Sequence, residues 1–418
     1  KRDWSSDVCS SDLRETIHFI VKDSGADFLF ADSARAADIP LGMPSVTFGE
    51  DFERFLDRGP FETVRPVTRE PAMFLYTSGS TGMPKGVVLS HQSHLWVVET
   101  RLRGLDISRH RFLVAAPLYH MNALAVSQFV CGGHGTMVLL PQFAARSYID
   151  AIETYRCTWL TAVPPMMAMM LREKDRLACA DLSCVEFVRM GSAPVSENLL
   201  NALTHALPNA KITNAYGTTE GGPVVFGPHP QGLPAPPLSV GYPVAGVEVR
   251  LQGGGSEGNL EMKSPAVMNG YHNRPDLRTP ITADGYYVTG DVFRRDANGF
   301  YFFAGRTDDM FVSGGENIYP SDVERMLERH PDIAQAAVVP IEDDIKGTKP
   351  VAFVVARQGA ALDEAEVKHY ALAHAPAYQH PRNVWFIERL PLSSTNKIDR
   401  AVLMRWAAER KPAEVTPS

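Results

Sequence analysis

Five segments decide how this chain folds: FLVAAP at 112–117, GTMVLLP at 135–141, TWLTAVP at 158–164, CVEFVRMG at 184–191 and AKITNAYG at 210–217. Each is a short apolar run of strand length, and stretches of helical length separate them. Strands alternating with helices imply a layered, parallel α/β architecture. The same alternation begins upstream. RETIHFIVKDSGADFLFAD, from Arg14, reads as a short amphipathic helix, a turn at Gly25 and a strand FLFA. AMFLYT at 72–77 reads as a further strand, followed by a Gly-rich turn and a helix from about Ser93.

After Gly217 the pattern changes. SVGYPVAGVEVRLQ, GNLEMKSP, GYYVTGD and GFYFFAGR are short, alternating and punctuated by glycine, which predicts antiparallel strands in a β-rich subdomain over about 224–306. Beyond Asp308 come a helix PSDVERMLERH, strands AQAAVVPI and KPVAFVVAR, a helix DEAEVKHYALAHA and a strand NVWFIERL. The expected organisation is therefore a large α/β domain over 14–307 and a small, mobile α+β domain over 308–418. The hinge falls in RTDDMF, at Asp308. The first thirteen residues, KRDWSSDVCSSDL, have neither an apolar signal region nor a helical period, and are set aside as a leader foreign to the fold. They resemble translated adapter sequence, which would leave the native start missing; a natural disordered leader is the alternative.

Composition narrows the classes. Hydrophobic residues at 44% and charged residues at 21% exclude wholesale disorder. Lys plus Arg number 41 against 48 Asp plus Glu, a net charge of −7, which offers no global basic field for nucleic acid. The five cysteines (Cys9, Cys131, Cys157, Cys179, Cys184) are scattered without CxxC spacing, so neither a disulfide framework nor a zinc site is expected, and a reducing cytoplasm fits best. The most apolar stretch, FLVAAPLYHMNALAVSQFVCGG, is interrupted by Pro117, His120, Asn122 and Gln128, so no membrane span is expected.

The strongest chemical signal is YTSGSTGMPKG at 76–86. Glycines 79 and 82 let backbone amides approach phosphate oxygens, the hydroxyls of Thr77, Ser78, Ser80 and Thr81 donate hydrogen bonds, and Lys85 supplies positive charge. Pro84 before the lysine and Gly86 after it distinguish this turn from a Walker loop, which needs a Ser/Thr there for magnesium.

TSGSTGMPKG resembles the signature of the superfamily that contains AMP-forming acyl-CoA synthetases, firefly luciferase and nonribosomal adenylation domains. Further motifs of that family follow in order: NAYGTTEGG at 214–222, YVTGD at 287–291, GRTDDMFVSGGENIYPSDVE at 305–324 and LPLSSTNKIDR at 390–400. The likeness runs from about Arg14 to Arg405. Family members usually carry more N-terminal subdomain before the position of Arg14, so if the adapter reading holds, part of one core layer is expected to be missing.

The resemblance implies ATP, Mg²⁺ and coenzyme A as ligands and a small-molecule carboxylic acid as substrate. Tyr216 would stack on adenine, Thr219 would meet the α-phosphate and Glu220 would bind magnesium, with Asn214, Ala215, Gly217 and Thr218 beside them. That assignment suits the chemistry, because a carboxylate attacking the α-phosphorus brings two anions together and needs a cation between them. Asp291 and Arg306 would hold the ribose, or else form an ion pair supporting the sheet. Gly191, Ser192 and Ala193 would line the adenine edge. Lys397 would reach the bridging oxygens during adenylation, although Asn396 stands where the family more often has glycine. Gly314 and Gly315 would let a pantetheine chain pass as the small domain swings about Asp308.

His120 would stand at the mouth of the acyl pocket, positioning and gating, while His91 has a structural role. Met121, Asn122, Val163, Ser192, Gly217, Gly221 and Gly222 complete the candidate pocket. Their mostly neutral, apolar character predicts a hydrophobic acid, with Gly221 and Gly222 leaving room for an aryl or medium to long acyl group. The leading expectation is an AMP-forming carboxylic acid:CoA ligase. Alternatives are a stand-alone adenylation enzyme loading another acceptor, a luciferase-type oxygenase, and an inactive nucleotide-binding fragment. PLYHMNAL lacks the acidic residue that an amino-acid adenylation module places there for a substrate ammonium. The oligomeric state stays open, with a homodimer among the options.

Overall fold

The computed structural model describes residues 10–77, 84–313, 316–343, 347–393 and 397–409. The chain forms two compact units. Unit 1 is Lys1–Trp96 with Pro265–Pro280, and unit 2 is Val97–Ser264 with Ile281–Ser418.

In unit 1, α1 (Ser10–Ser24) begins inside the segment set aside as a leader, a correction to the expected start at Arg14. Gly25 then turns the chain at φ +66°, and β1 (Leu29–Ala31) pairs in parallel with β2 (Ser45–Thr47), followed by α2 (Glu50–Phe55). β3 (Pro71–Thr77) and β4 (Lys85–Ser90) form an antiparallel hairpin that pairs Thr77 with Lys85. The expected route from the Gly-rich turn directly into a helix is therefore corrected. KGVVLS is a strand, because Val87 and Leu89 are fully buried within it, and α3 (His91–Leu102) starts two residues before Ser93. The strand Gly270–Tyr271 adds to this hairpin by pairing with Val88 and Val87. Residues 265–280, expected within the β-rich subdomain, thus build unit 1.

Unit 2 contains the parallel sheet that the five segments predict. Its strands are β5 (Arg111–Val114), β6 (Thr136–Leu139), β7 (Trp159–Ala162), β8 (Phe187–Gly191) and β9 (Lys211–Ala215), in the order β6-β5-β7-β8-β9. All of these pairings are parallel. Between them run α4 (Met121–Gly132), α5 (Ala145–Tyr155), α6 (Pro164–Arg172), α7 (Lys174–Cys179) and α8 (Glu197–Ala206). Both faces of the sheet are covered, which is why the strands read as continuous apolar runs. Leu113, Leu160, Val188 and Met190 pack with Ile149, Ile152, Met167 and Leu203 on one side. Phe112, Val114 and Trp159 pack with Val126 and Phe129 on the other.

The predicted antiparallel layer is a four-stranded sheet of Glu248–Leu251, Glu257–Lys263, Tyr287–Arg295 and Tyr301–Arg306. Past residues 307–309, a turn, the chain builds the expected α+β layer. The long strands Ile333–Asp343 and Gly347–Ala356 pair antiparallel, and Asn383–Phe386 lies parallel to the second. α9 (Pro320–Glu328) and α10 (Glu364–His374) cover one face through Val323, Leu327 and Val367, while α11 (Arg400–Glu409) covers the other through Leu403 and Ala407. α9 is also tied to the neighbouring sheet. The Ser321 hydroxyl donates to the Ala304 carbonyl at 2.6 Å, and Arg325 Nη1 donates to the Phe303 carbonyl at 2.6 Å.

Candidate active site

In unit 2 the chemistry converges on Asp291. Gly290, at φ +76°, precedes it, and strand pairing sets it opposite Arg306. Asp291 is 7% exposed. Its Oδ2 accepts the Tyr216 hydroxyl at 2.5 Å, and its Oδ1 lies 3.6 Å from Arg306 Nε. Burial raises its pKa, an effect that the Tyr216 hydrogen bond and the Arg306 charge oppose without cancelling. Burial also drives the Tyr216 hydroxyl well above the usual tyrosine range, with Asp291 adding to it. The Tyr216 ring meets Phe293 edge-on at 4.7 Å. Of the two expectations for Asp291 and Arg306, the ion pair is therefore present in this structure.

Lys397 belongs to the same neighbourhood. The Ser393 N–H donates to the Lys397 carbonyl at 2.7 Å, and Leu392 forms a β-bridge with Ile398. The rest of the motif is anchored structurally. Asp399 caps α11 by accepting from the Val402 N–H at 3.1 Å, and Arg400 grips Glu324 of α9 through two hydrogen bonds of 2.7 and 2.9 Å. The Lys397 side chain keeps access to solvent. Loss of water around its amine and the Arg306 charge lower its pKa, while Asp291 works in the opposite sense.

His120 feels the same lysine. It is the N-cap residue of α4, and its Nε2 is buried without a hydrogen-bond partner among the described residues. Burial, then the Lys397 charge, lower its pKa, so the ring is neutral at neutral pH. Two residues along, Asn122 Nδ2 reaches the Ser192 hydroxyl at 3.5 Å, the long limit of a hydrogen bond. Ser192 holds the left-handed conformation at φ +67°, so this exposed residue is strained in the sharp turn after β8. Met121 opens α4, and buried Val163 precedes α6. The candidate pocket residues of α4, α6 and the 191–194 turn thus follow strands of one sheet, at its carboxyl edge.

Thr219 and Glu220 sit at the tip of a closed turn. Thr218 and Gly222 exchange backbone hydrogen bonds of 3.1 and 3.0 Å, and the Thr218 hydroxyl accepts from the Gly221 N–H at 2.8 Å. The expectation that the glycines leave room for an acyl group is corrected here. A Cβ at Gly221 would meet Met262 Sδ at 2.8 Å, one at Gly217 would lie 2.6 Å from Pro223 Cα, and Gly222 adopts φ +99°. These glycines are required by the packing of the turn. Asn214 is bound to the Leu238 carbonyl at 3.1 Å, and Ala215 pairs with Gly191 across β9 and β8.

Among the described residues no cluster of three or more His, Cys, Asp or Glu side chains is assembled for a metal. A single half-buried carboxylate on a turn flanked by threonine hydroxyls nonetheless fits magnesium, which is commonly held by one or two carboxylates together with substrate phosphates.

Unit 1 holds the phosphate-turn motif. Thr77 and Lys85 are cross-strand neighbours at the open end of the β3–β4 hairpin. Ser78, Gly79, Ser80, Thr81 and Gly82 lie outside the described residues, as do Gly314 and Gly315. The Thr77 hydroxyl is buried and has no hydrogen-bond partner among the described residues, a donor that a phosphate oxygen would satisfy. Lys85 Nζ donates to the Tyr271 hydroxyl at 2.9 Å and lies 4.3 Å from the centre of that ring. Sequence reasoning missed Tyr271, because nothing in GYHN signals a partner so far along the chain. Gly86 permits the approach, since a Cβ there would lie 3.1 Å from the Tyr76 ring and 3.4 Å from His272 Cβ. His91 opens α3 with its N–H bound to the Glu70 carbonyl, in keeping with a structural role. Asp308 is an exposed turn residue 3.5 Å from Arg306 Nη2.

The chain is similar to known proteins over most of its length. Residues 12–272 match the AMP-binding enzyme family, and residues 322–397 match the AMP-binding enzyme C-terminal domain. Sulfoacetate–CoA ligase of Cupriavidus necator is 32% identical over 82% of this chain and 68% of its own length. Indoleacetate–CoA ligase of Aromatoleum aromaticum is 32% identical over 83% and 69%. Feruloyl-CoA synthase of an Amycolatopsis species is 33% identical over 80% and 69%. The chain thus spans about two thirds of these relatives. Among solved structures, ATP-bound MatB from Rhodopseudomonas palustris superposes with a TM-score of 0.83 at 25% identity, over 94% of this chain and 81% of that one. The anthranilate CoA ligase AuaEII in complex with anthranoyl-AMP gives 0.82 at 25% identity, over 94% and 80%.

Proposed function

Because this chain belongs to the AMP-binding enzyme family and is an AMP-forming acid–CoA ligase, we propose a division of its reaction among the residues described above. In the first half-reaction a carboxylate attacks the α-phosphorus of ATP and pyrophosphate leaves. In the second, the thiol of coenzyme A attacks the acyl carbon and AMP leaves. The observation that carries the reading is the neighbourhood of Lys397, Arg306 and Asp291, whose charges shift one another, together with His120, which feels the Lys397 charge.

Lys397 and Arg306 present fixed positive charge to the anions that meet in the first step, and Asp291 offsets their mutual repulsion. Burial and the Arg306 charge lower the proton affinity of Lys397, and the Asp291 carboxylate beside it opposes them. Neutral His120 positions the acid at the mouth of its pocket without adding a further charge next to Lys397. Within unit 1, Thr77 and Lys85 are the phosphate-binding candidates; within unit 2, Tyr216 and Asp291 are the nucleoside-binding candidates. Glu220 and Thr219 would hold magnesium, which when bound neutralises phosphate charge. Gly314 and Gly315 pass the pantetheine arm, and the segment from Asp308 onward turns between the half-reactions. The acid has an apolar body that packs on Met121 and Val163. The free cysteines suit a reducing compartment such as the cytoplasm.

ATP-dependent pyrophosphate release with a panel of acids tests this reading. Release without coenzyme A, and thioester only with it, is the expected result. Pyrophosphate with thioester to no CoA would point to another acceptor, and no release with any acid to a nucleotide-binding fragment.

A further inference from the structure

Among the described residues, Arg101 and Arg189 of unit 2 are both drawn out of water against partners that carry no negative charge. Arg101, in the last turn of α3, donates from Nη1 to the Ala125 carbonyl at 3.2 Å, and its guanidinium lies 4.0 Å over the Phe129 ring; both partners are on α4. Arg189, in the middle of β8, donates from Nη2 to the Pro223 carbonyl at 3.4 Å. Among the described residues no Asp or Glu forms an ion pair with either. By contrast, Arg109 is paired with Glu186, Arg176 with Asp150, and Arg400 with Glu324.

The two are also close enough to repel. Burial pulls Arg101 well below the ordinary arginine range, and the charge of Arg189 pulls it further; burial holds Arg189 at about 10. A desolvated cation without an anion is costly, and two together cost more. Both residues nevertheless keep partial exposure, so they border space that solvent can enter.

Their placement gives that space a meaning. Two residues after Arg189, β8 ends in Gly191 and the turn carrying Ser192, which Asn122 of α4 reaches. Pro223, held by Arg189, directly follows Gly222. Arg101 lies under the same helix, α4, whose first residues are Met121 and Asn122. The arginines therefore attach to the elements that carry the acyl-pocket candidates, one turn or one strand step further in. Building on the acid–CoA ligase reading, we infer that Arg101 and Arg189 form an anion-binding floor of the acyl pocket, so that the acid substrate bears a second anionic group, carboxylate or sulfonate, at the end remote from its reacting carboxyl. The apolar side chains of Met121 and Val163 then pack on the spacer between the two anionic ends.

The test uses matched acids on the full chain: α,ω-dicarboxylates of graded length, their monomethyl esters, and ω-sulfo acids of the same lengths. For the preferred length the dianion is expected to exceed its monoester in kcat/KM by about tenfold to a hundredfold, the range of a hydrogen bond to a charged group. A sulfo acid that matches or exceeds the dicarboxylate identifies sulfonate as the group; the reverse identifies carboxylate. Arg189→Met and Arg101→Met are expected to erase this preference through KM, while Arg189→Lys restores part of it. Each Met variant is expected to melt at the same or a higher temperature without acid, since an unpaired buried charge has gone. Equal loss for dianion and monoester, or a wild-type preference for the monoester, overturns the inference. Should no acid release pyrophosphate, the ligase reading fails, and calorimetric titration of the dicarboxylate against its monoester still decides the anion site: no difference in affinity overturns it.

Discussion

At the residue scale, Lys397 separates the two half-reactions. Lys397→Ala is expected to slow adenylate formation by about 10²–10³-fold, the cost of losing one preorganised charge-stabilising group. Thioester formation from supplied acyl-AMP should be largely retained, and pyrophosphate and thioester assays read the halves separately; equal loss in both would contradict the division. Tyr271 poses a different question, because it touches Lys85 and no reacting atom. Tyr271→Phe keeps the ring beneath the ammonium and removes only its hydrogen-bond acceptor. An increase of about fivefold to tenfold in KM for ATP, with kcat little changed, is expected for one charge-assisted bond, and pyrophosphate exchange at varied ATP measures it. Lys397 was legible because a motif surrounds it. Tyr271 was not, because its partner lies 186 positions away.

At the scale of elements, the contact between α8 and α9 is sensitive to pH. Glu328 ends α9, where its Oε1 accepts from the Ala336 N–H at 3.1 Å and Asn198 of α8 bonds its carbonyl oxygen. Burial pushes its carboxyl up to about 8, Glu324 adds to this, and the Ala336 N–H and the Ser196 hydroxyl oppose it. Arg325 and the nearby pair of Arg329 with Glu197, at 3.8 Å, complete the charged surroundings. The folded form thus holds a proton that the unfolded chain has lost above the ordinary glutamate value. This contribution to stability is full below about pH 4.5 and is lost as pH rises toward 8. Glu328→Gln, which mimics the protonated form, should flatten the dependence of Tm on pH between 5 and 8. A melting series across that range would show the wild-type Tm falling by a few degrees relative to the variant; parallel curves would remove Glu328 as the cause. Neither α8 nor α9 announces this contact in sequence, since Glu328 reads as one more charged residue on an amphipathic helix.

At the scale of the whole molecule, activity should depend on a divalent cation that no preformed cluster of the described residues holds. Chelating magnesium is expected to stop pyrophosphate release and leave the melting temperature almost unchanged, because one carboxylate at the tip of a turn contributes little to folding. A calorimetric scan with and without chelator, beside the activity assay, checks both parts. The parallel sheet of β5 to β9, the antiparallel layer and the C-terminal α+β layer could all be read along the chain. Their apolar periods and glycine punctuation are local, and local pattern is set by which face of each element must leave water. The order of the motifs, and with it the family, was written in the residues for the same reason. Contacts between distant segments could not be read this way. The strand Gly270–Tyr271 joins the β3–β4 hairpin, the glycines at 217 and 221 are crowded by Pro223 and Met262, and the Arg189 charge acts on Arg101 with no Asp or Glu paired to either among the described residues. Burial and pairing across long sequence separations depend on how elements pack, and a one-dimensional pattern does not contain that packing. Sequence alone determined what chemistry this chain carries; the tertiary structure decided which side chains are held, crowded or left without a counter-charge to perform it.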